Sequence, residues 1–166
     1  MKVNIALLTV TDTRTFENDK SGGILVNKIK EADHNLIDRK ICKDNKDDIK
    51  DIINQWLKEN NIDVIITTGG TGLTGRDITP EALNDIADKH IPGFGEMFRY
   101  VSIKSVGTSS IQSRACAVLA NGKYVFALPG SSGGVTDAWD QILKYQLDIN
   151  HKPCNFVELF PRLKEK

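Results

Sequence analysis

Ile62-Asp63-Val64-Ile65-Ile66-Thr67-Thr68-Gly69-Gly70-Thr71-Gly72 carries a mostly apolar run directly into a cluster of glycines, and Thr79-Pro80-Glu81 follows a short way on. The run reads as a buried strand over 62–68, ending where the chain needs the positive φ angles that glycine alone adopts freely. Thr79-Pro80-Glu81 then opens a helix, with Thr79 as cap, Pro80 in the first turn and Glu81 facing the positive end of the dipole. Strand, glycine turn and helix make one unit of an α/β fold.

The same unit recurs on either side. Upstream, the apolar run Val3 to Val10 ends at Thr11-Asp12-Thr13-Arg14. Ile24, Leu25, Ile29 and Ala32 then recur at helical spacing and place a helix over about 21–33. A strand over Asn35 to Cys42 leads to Asn45 and Asp48, a helix start, and to the stripe Ile49, Ile52, Ile53, Trp56 and Leu57. Downstream, Phe94, Met97, Phe98 and Val101 mark a helix after Pro92-Gly93. Residues 113–119 and 123–128 are apolar runs joined through Asn121-Gly122, the signal of a tight hairpin. Pro129-Gly130-Ser131-Ser132-Gly133-Gly134 leads into a closing helix marked by Val135, Ala138, Trp139, Ile142 and Leu143.

This alternation predicts a three-layer α/β/α architecture: a mostly parallel sheet with one antiparallel edge hairpin, wrapped by helices through right-handed crossovers. The length of 166 residues suits a single domain over 1–166. Loops leaving parallel strands in one direction emerge along one edge, so residues 11–14, 69–77 and 129–134 should meet there.

Composition narrows the partners. Lys plus Arg and Asp plus Glu both number 22, so the formal net charge is zero and no large positive field exists to gather nucleic acid. No apolar run approaches the roughly 20 residues a membrane-spanning helix needs, and the start lacks a signal-peptide pattern, so a cytoplasmic protein is expected. Cys42, Cys116 and Cys154 are widely spaced and read as idle thiols. His34, His90 and His151 stand alone, without a nucleophile motif.

The predicted edge has chemistry of its own. Gly69, Gly70, Thr71 and Gly72 bring bare backbone amides close to a ligand, an arrangement suited to phosphate oxygens. Pro129, Gly130, Ser131 and Ser132 form a second such turn before a helix. Neither a Gly-Lys-Ser/Thr P-loop ending nor a Gly-x-Gly-x-x-Gly turn after the first strand is present. Asp44 and Asp77 both fall on the edge, where a carboxylate pair could hold Mg²⁺ against a nucleotide; equally, each suits a turn or a helix start. Thr11 and Asp12 follow the first strand. Arg76 and Arg14 could neutralise phosphate or simply face solvent. Glu96 begins a helical turn, where it also suits the dipole.

At this point the motifs resemble a known family. Ile65 to Gly72 followed by Asp77-Ile78-Thr79-Pro80-Glu81 is similar to the signature of the MoaB/MogA family of molybdenum-cofactor biosynthesis. Thr11-Asp12-Thr13-Arg14, Lys43-Asp44-Asn45, Pro92-Gly93-Phe94-Gly95-Glu96, Ser113-Arg114-Ala115, Leu128-Pro129-Gly130-Ser131 and Pro153-Cys154-Asn155-Phe156 resemble it in order, across nearly the whole chain. The B branch is the more similar. The resemblance implies a molybdopterin-binding fold assembled as trimers or paired trimers, working with other proteins of the pathway. It implies that molybdopterin's terminal phosphate attacks the α-phosphate of Mg-ATP, giving adenylylated molybdopterin and pyrophosphate; a non-catalytic molybdopterin carrier is the alternative. It assigns Asp44 and Asp77 to catalysis and Mg²⁺, the Gly69 to Gly72 amides to phosphate, and Ser131 and Asp12 to the pterin or its phosphate.

Overall fold

The computed structural model describes residues 1–165. Strands β1 (Asn4–Val10), β2 (Asn35–Cys42), β3 (Val64–Thr68), β4 (Lys89–His90), β5 (Cys116–Ala120) and β6 (Lys123–Leu128) form one sheet in the order β2-β1-β3-β6-β5-β4. β2, β1, β3 and β6 run parallel; β5 is antiparallel to β6 and to β4. The helices are α1 (Lys20–Glu31), α2 (Lys46–Lys58), α3 (Thr79–Ile86), α4 (Pro92–Val106), α5 (Ser132–Ala138) and α6 (Lys144–Gln146).

The period of two along each strand divides the core. From β1, Ile5 and Leu7 pack on one face with Leu25 of α1, Phe98 of α4 and Val135 of α5. Ala6, Leu8 and Val10 pack on the other with Ile53 of α2 and Leu83 of α3. A strand buried on both faces needs apolar residues at consecutive positions, which is why β1 and β3 lack the polar alternation of a surface strand. The three-layer α/β/α architecture with a mostly parallel sheet is the one expected. Among the described residues, no helix is long and apolar enough to cross a membrane.

Four details depart from expectation. The β5–β6 hairpin turns at Asn121-Gly122, with both residues at positive φ, but it does not form the edge, because β6 pairs with β3 inside the sheet. The antiparallel edge is present as expected but is completed by one further strand, β4, whose two exposed residues carry no apolar pattern to read; β2 forms the opposite edge. Thr79 lies inside α3 rather than capping it: Ile78 holds the cap position without a side-chain bond, and the Thr79 hydroxyl turns back to donate to the Gly69 carbonyl at 2.9 Å. β5 starts at Cys116, not 113, because the Arg114 amide donates to Thr71 in the glycine loop instead of to a strand. The closing helix passes from α5 through a π-helical turn, Trp139–Leu143, into α6.

Candidate functional site

Parallel pairing places the ends of three strands side by side. Thr9 of β1 pairs with Thr68 of β3, and Thr68 with Leu128 of β6, so the following residues leave the sheet together. The Gly69 amide donates to the Leu128 carbonyl at 3.0 Å, and the Thr68 hydroxyl to the Pro129 carbonyl at 2.7 Å. Gly69 has φ +105°, and a Cβ there would stand 2.2 Å from the Val10 carbonyl oxygen, so only glycine lets these segments approach. A Cβ on Gly130 would in turn meet the Gly69 Cα at 3.3 Å. The Arg14 guanidinium spans the third loop and donates to the Gly130 carbonyl at 3.1 Å.

Two cavities open along this edge. The larger, about 730 Å³, runs from Gly70, Gly72 and Asp77 past Gly130 and Ser131 to α4 and α5. The smaller, about 350 Å³, is walled by Thr11, Arg14, Asp44 and Gly69. They share Gly70, Gly130 and Ser131, so one backbone ridge separates a chamber holding Asp44 from a chamber holding Asp77. Among the described residues the Gly70 and Thr71 amides have no acceptor. The Gly69 amide, expected to face phosphate, is instead committed to the sheet, and the Gly72 amide bonds to the Asp77 carboxylate.

Arg114 holds the loop in shape. Its Nε donates to the Gly72 carbonyl at 2.7 Å, its Nη2 to the Asp77 carbonyl at 2.9 Å, and its Nη1 pairs with Glu81. Asp77 braces the same loop from within, its Oδ2 accepting from the Thr74 amide at 2.9 Å and the Thr74 hydroxyl at 2.7 Å.

The carboxylates differ in electrostatic state. Burial pushes the Asp44 carboxyl up from the usual aspartate range, and the neighbouring negative charges of Asp12 and Asp77 add to the effect. Asp77 is opposed by burial too, but bonds from Thr74 and Gly72 hold it below that range. A bond from the Arg76 guanidinium, followed by one from the Asp44 amide, lowers Asp12. Asp12 and Arg76 are thus paired with each other, and Asp12 Oδ1 accepts from the Asp44 amide at 3.1 Å.

Of the residues singled out from the sequence, Gly70, Thr71, Gly72, Asp77, Pro129, Gly130 and Ser131 line the larger cavity. Thr11, Asp44 and Gly69 line the smaller. Asp12 and Arg76 stand outside both walls and steady the Asp44 turn; Ser132, though at the start of α5, and Glu96, exposed on α4, line neither. The sequence reading missed the far wall of the larger cavity, including Ser102, Ser105, Ser110 and Asp137, and the latch made by Arg114. One signal was available: Phe94, Phe98 and Ser102 follow one another at four-residue spacing on the buried side of α4, so a serine stands where the stripe calls for an apolar residue. Cys42, Cys116 and Cys154 are free thiols; Cys154 is exposed, whereas burial pushes the Cys42 thiol up to about 12.

The family described as "Probable molybdopterin binding domain" matches residues 6–149. Molybdenum cofactor biosynthesis protein B of Escherichia coli (strain K12) is 43% identical over 161 residues, covering 97% of this chain and 93% of that protein. Its namesake from Staphylococcus aureus (strain COL) is 44% identical over 149 residues, 88% of each chain. A crystal structure of a molybdenum cofactor biosynthesis protein B superposes with TM-score 0.89 at 36% identity, over 100% of this chain and 98% of the other. The tungsten cofactor synthesizing protein MoaB from Pyrococcus furiosus superposes with TM-score 0.77 at 32% identity, over 86% of this chain and 91% of its own.

Proposed function

The chain belongs to the molybdopterin-binding domain family of molybdenum-cofactor biosynthesis, and from that premise we propose that it adenylylates molybdopterin with ATP in the two joined cavities. The observation that carries the reading is the ridge of Gly70, Gly130 and Ser131 shared by a chamber with Asp44 and a chamber with Asp77. A ligand that takes an adenylyl group from another needs two pockets meeting at one anion-binding point.

In this reading molybdopterin's terminal phosphate lies at the ridge, facing the Gly70 and Thr71 amides, with ATP entering from the smaller chamber. A phosphate oxygen forms a bond to the α-phosphorus of ATP as the bond to the bridging oxygen of the β-phosphate breaks; pyrophosphate leaves and the AMP moiety remains on molybdopterin. The nucleophile needs no general base, since a phosphate monoester with a second pKa of about 6 is largely ionised near neutrality. Alignment and charge neutralisation carry most of such a transfer. The chain's part is to hold the two phosphates in register on a braced loop, and Arg14 adds positive charge beside Gly130.

Among the described residues no group of three or more His, Cys, Asp or Glu side chains could hold a metal alone. One or two carboxylates completed by substrate phosphates is the usual manner of Mg²⁺. Asp44 and Asp77, from two loops on one edge, fit that donor set, and the ion would supply neutralisation of the triphosphate. Met97, Tyr100 and Ile103 are exposed along α4 and support assembly into trimers or paired trimers.

Pyrophosphate measured after mixing the protein with Mg-ATP and molybdopterin tests the reading: release is expected only with all components present. Molybdopterin binding that is indifferent to Mg-ATP, with no pyrophosphate formed, would establish a carrier instead.

A further inference from the structure

A buried chain of polar groups ends on Arg14 at the wall of the smaller cavity. It begins at Asp19, which caps α1 with its side chain fully buried. Asp19 Oδ1 accepts from the Gly22 amide at 3.0 Å and from the Ser21 hydroxyl at 3.3 Å; Oδ2 accepts from the Thr9 hydroxyl at 2.6 Å and from Arg39 Nη2 at 3.0 Å. Ser21, also fully buried, accepts in turn from Arg14 Nη1 at 3.2 Å, and the same nitrogen donates to the Gly130 carbonyl at 3.1 Å. A Cβ on Gly22 would stand 2.1 Å from Asp19 Oδ2 and 2.9 Å from Arg39 Nη2, so α1 carries a helix-weakening glycine where these groups converge.

Charge balance alone does not call for this arrangement. Arg39 at 3.0 Å already neutralises Asp19, whereas Arg14 stands 4.0 Å from the carboxylate and reaches it through Ser21. What the chain of bonds fixes is Arg14. Its Nη1 makes both anchoring bonds, and its Nε and Nη2 have no acceptor among the described residues. The side chain lines the smaller cavity together with Asp44 and Gly70. A free arginine gives up rotamer entropy when a ligand pins it; one already pinned by the fold offers its remaining donors without that cost.

We infer that Ser21 and Asp19 are positioning residues for Arg14, holding its Nε and Nη2 toward a polyphosphate anion in the smaller cavity. The inference rests on the reading of that cavity as the nucleotide chamber and adds to it two residues that line neither cavity themselves. A hydroxyl can accept and donate at once, so Ser21 takes the Nη1 proton and gives its own to Asp19. The carboxylate's charge strengthens each bond of the series. Without the Ser21 hydroxyl, Arg14 keeps only the Gly130 carbonyl and is free to turn toward solvent.

Calorimetric titration of the full chain with inorganic tripolyphosphate, a stand-in for the nucleotide's phosphates, tests the relay through a double-mutant cycle. Arg14→Gln should weaken binding about tenfold, the worth of one well-placed hydrogen bond. Ser21→Ala leaves Asp19 its bonds from Thr9, Gly22 and Arg39, so the fold is kept. It should weaken binding about fivefold, the entropy of immobilising one such side chain, and no further in the Arg14→Gln background. Asp19→Asn, titrated as the folded protein, should follow Ser21→Ala. A purely structural role gives equal losses in both backgrounds; such additive losses overturn the relay, as does wild-type affinity in both Ser21→Ala and Asp19→Asn, or no tripolyphosphate binding by the wild type. Coupled losses in a protein that releases no pyrophosphate from Mg-ATP and molybdopterin uphold the relay and overturn the adenylyl transfer alone; additive losses in a protein that does release it do the reverse.

Discussion

Arg114 and Asp77, far apart in the chain, meet through the backbone: the arginine Nη2 donates to the Asp77 carbonyl at 2.9 Å, while the Asp77 carboxylate faces Thr74 on the inner side of the loop. The position of that carboxylate therefore depends on a guanidinium that takes no part in lining either cavity.

Replacing Arg114 with Ala should loosen the loop, at a cost of about 2–3 kcal/mol in denaturant unfolding, the range for charged hydrogen bonds lost from a partly buried site. Arg114→Lys should not restore stability, since a single ammonium cannot serve Gly72, Asp77 and Glu81 in one plane. Full stability of the lysine variant would show that charge alone suffices.

Asp44→Asn should stabilise the fold while removing activity. Burial and like charges raise the folded-state pKa of Asp44, so folding opposes its charged form; the penalty is absent below its unfolded pKa and present once pH exceeds the folded value. At pH 7 the asparagine variant escapes it, and its melting temperature should rise. Pyrophosphate release should fall about 100-fold, as for the loss of one electrostatic element of a transfer site. A lowered melting temperature would contradict the electrostatic account.

Gly69→Ala should destabilise by at least about 1–3 kcal/mol, because the residue must keep φ +105° and its new methyl would collide with the Val10 carbonyl. Ligand affinity should fall further than stability alone explains, since the neighbouring ends of β1 and β3 both line the smaller cavity. Calorimetry at matched folded fractions separates the two effects.

The buried Asp19 carboxylate accepts from the Thr9 hydroxyl at 2.6 Å and from Arg39 at 3.0 Å. Burial works against its charge, but the bonds from Thr9, Gly22 and Arg39 prevail and hold its pKa below the ordinary 3.8. A depressed folded pKa contributes stability that is fully present above the unfolded value and is lost as pH falls through the folded one. The advantage of the wild type over Asp19→Asn, seen in urea unfolding, should be complete at pH 7 and shrink below about pH 4. Asp19→Ala should cost about 3 kcal/mol at neutral pH by stranding Arg39.

Apolar runs without polar alternation were enough to place β1, β3 and β6 inside a doubly covered sheet, and Asn121-Gly122 enough to mark the hairpin. Parallel order then made the meeting of the 11, 69 and 129 loops a geometric consequence, legible before any coordinate. These are local rules: burial on two faces and positive φ act on neighbours in the chain. Which amides stay free, which carboxylate is lifted and which lowered, and that Ser102 lies unpartnered at the end of a cavity depend on contacts between distant segments. Pairing of Gly69 with Leu128, of Arg114 with Gly72 and of Ser105 with Asp137 arises only when the sheet brings them within hydrogen-bond reach. Periodicity carries the fold because it is repeated over many residues, whereas a site rests on single donors and acceptors whose partners no local pattern encodes.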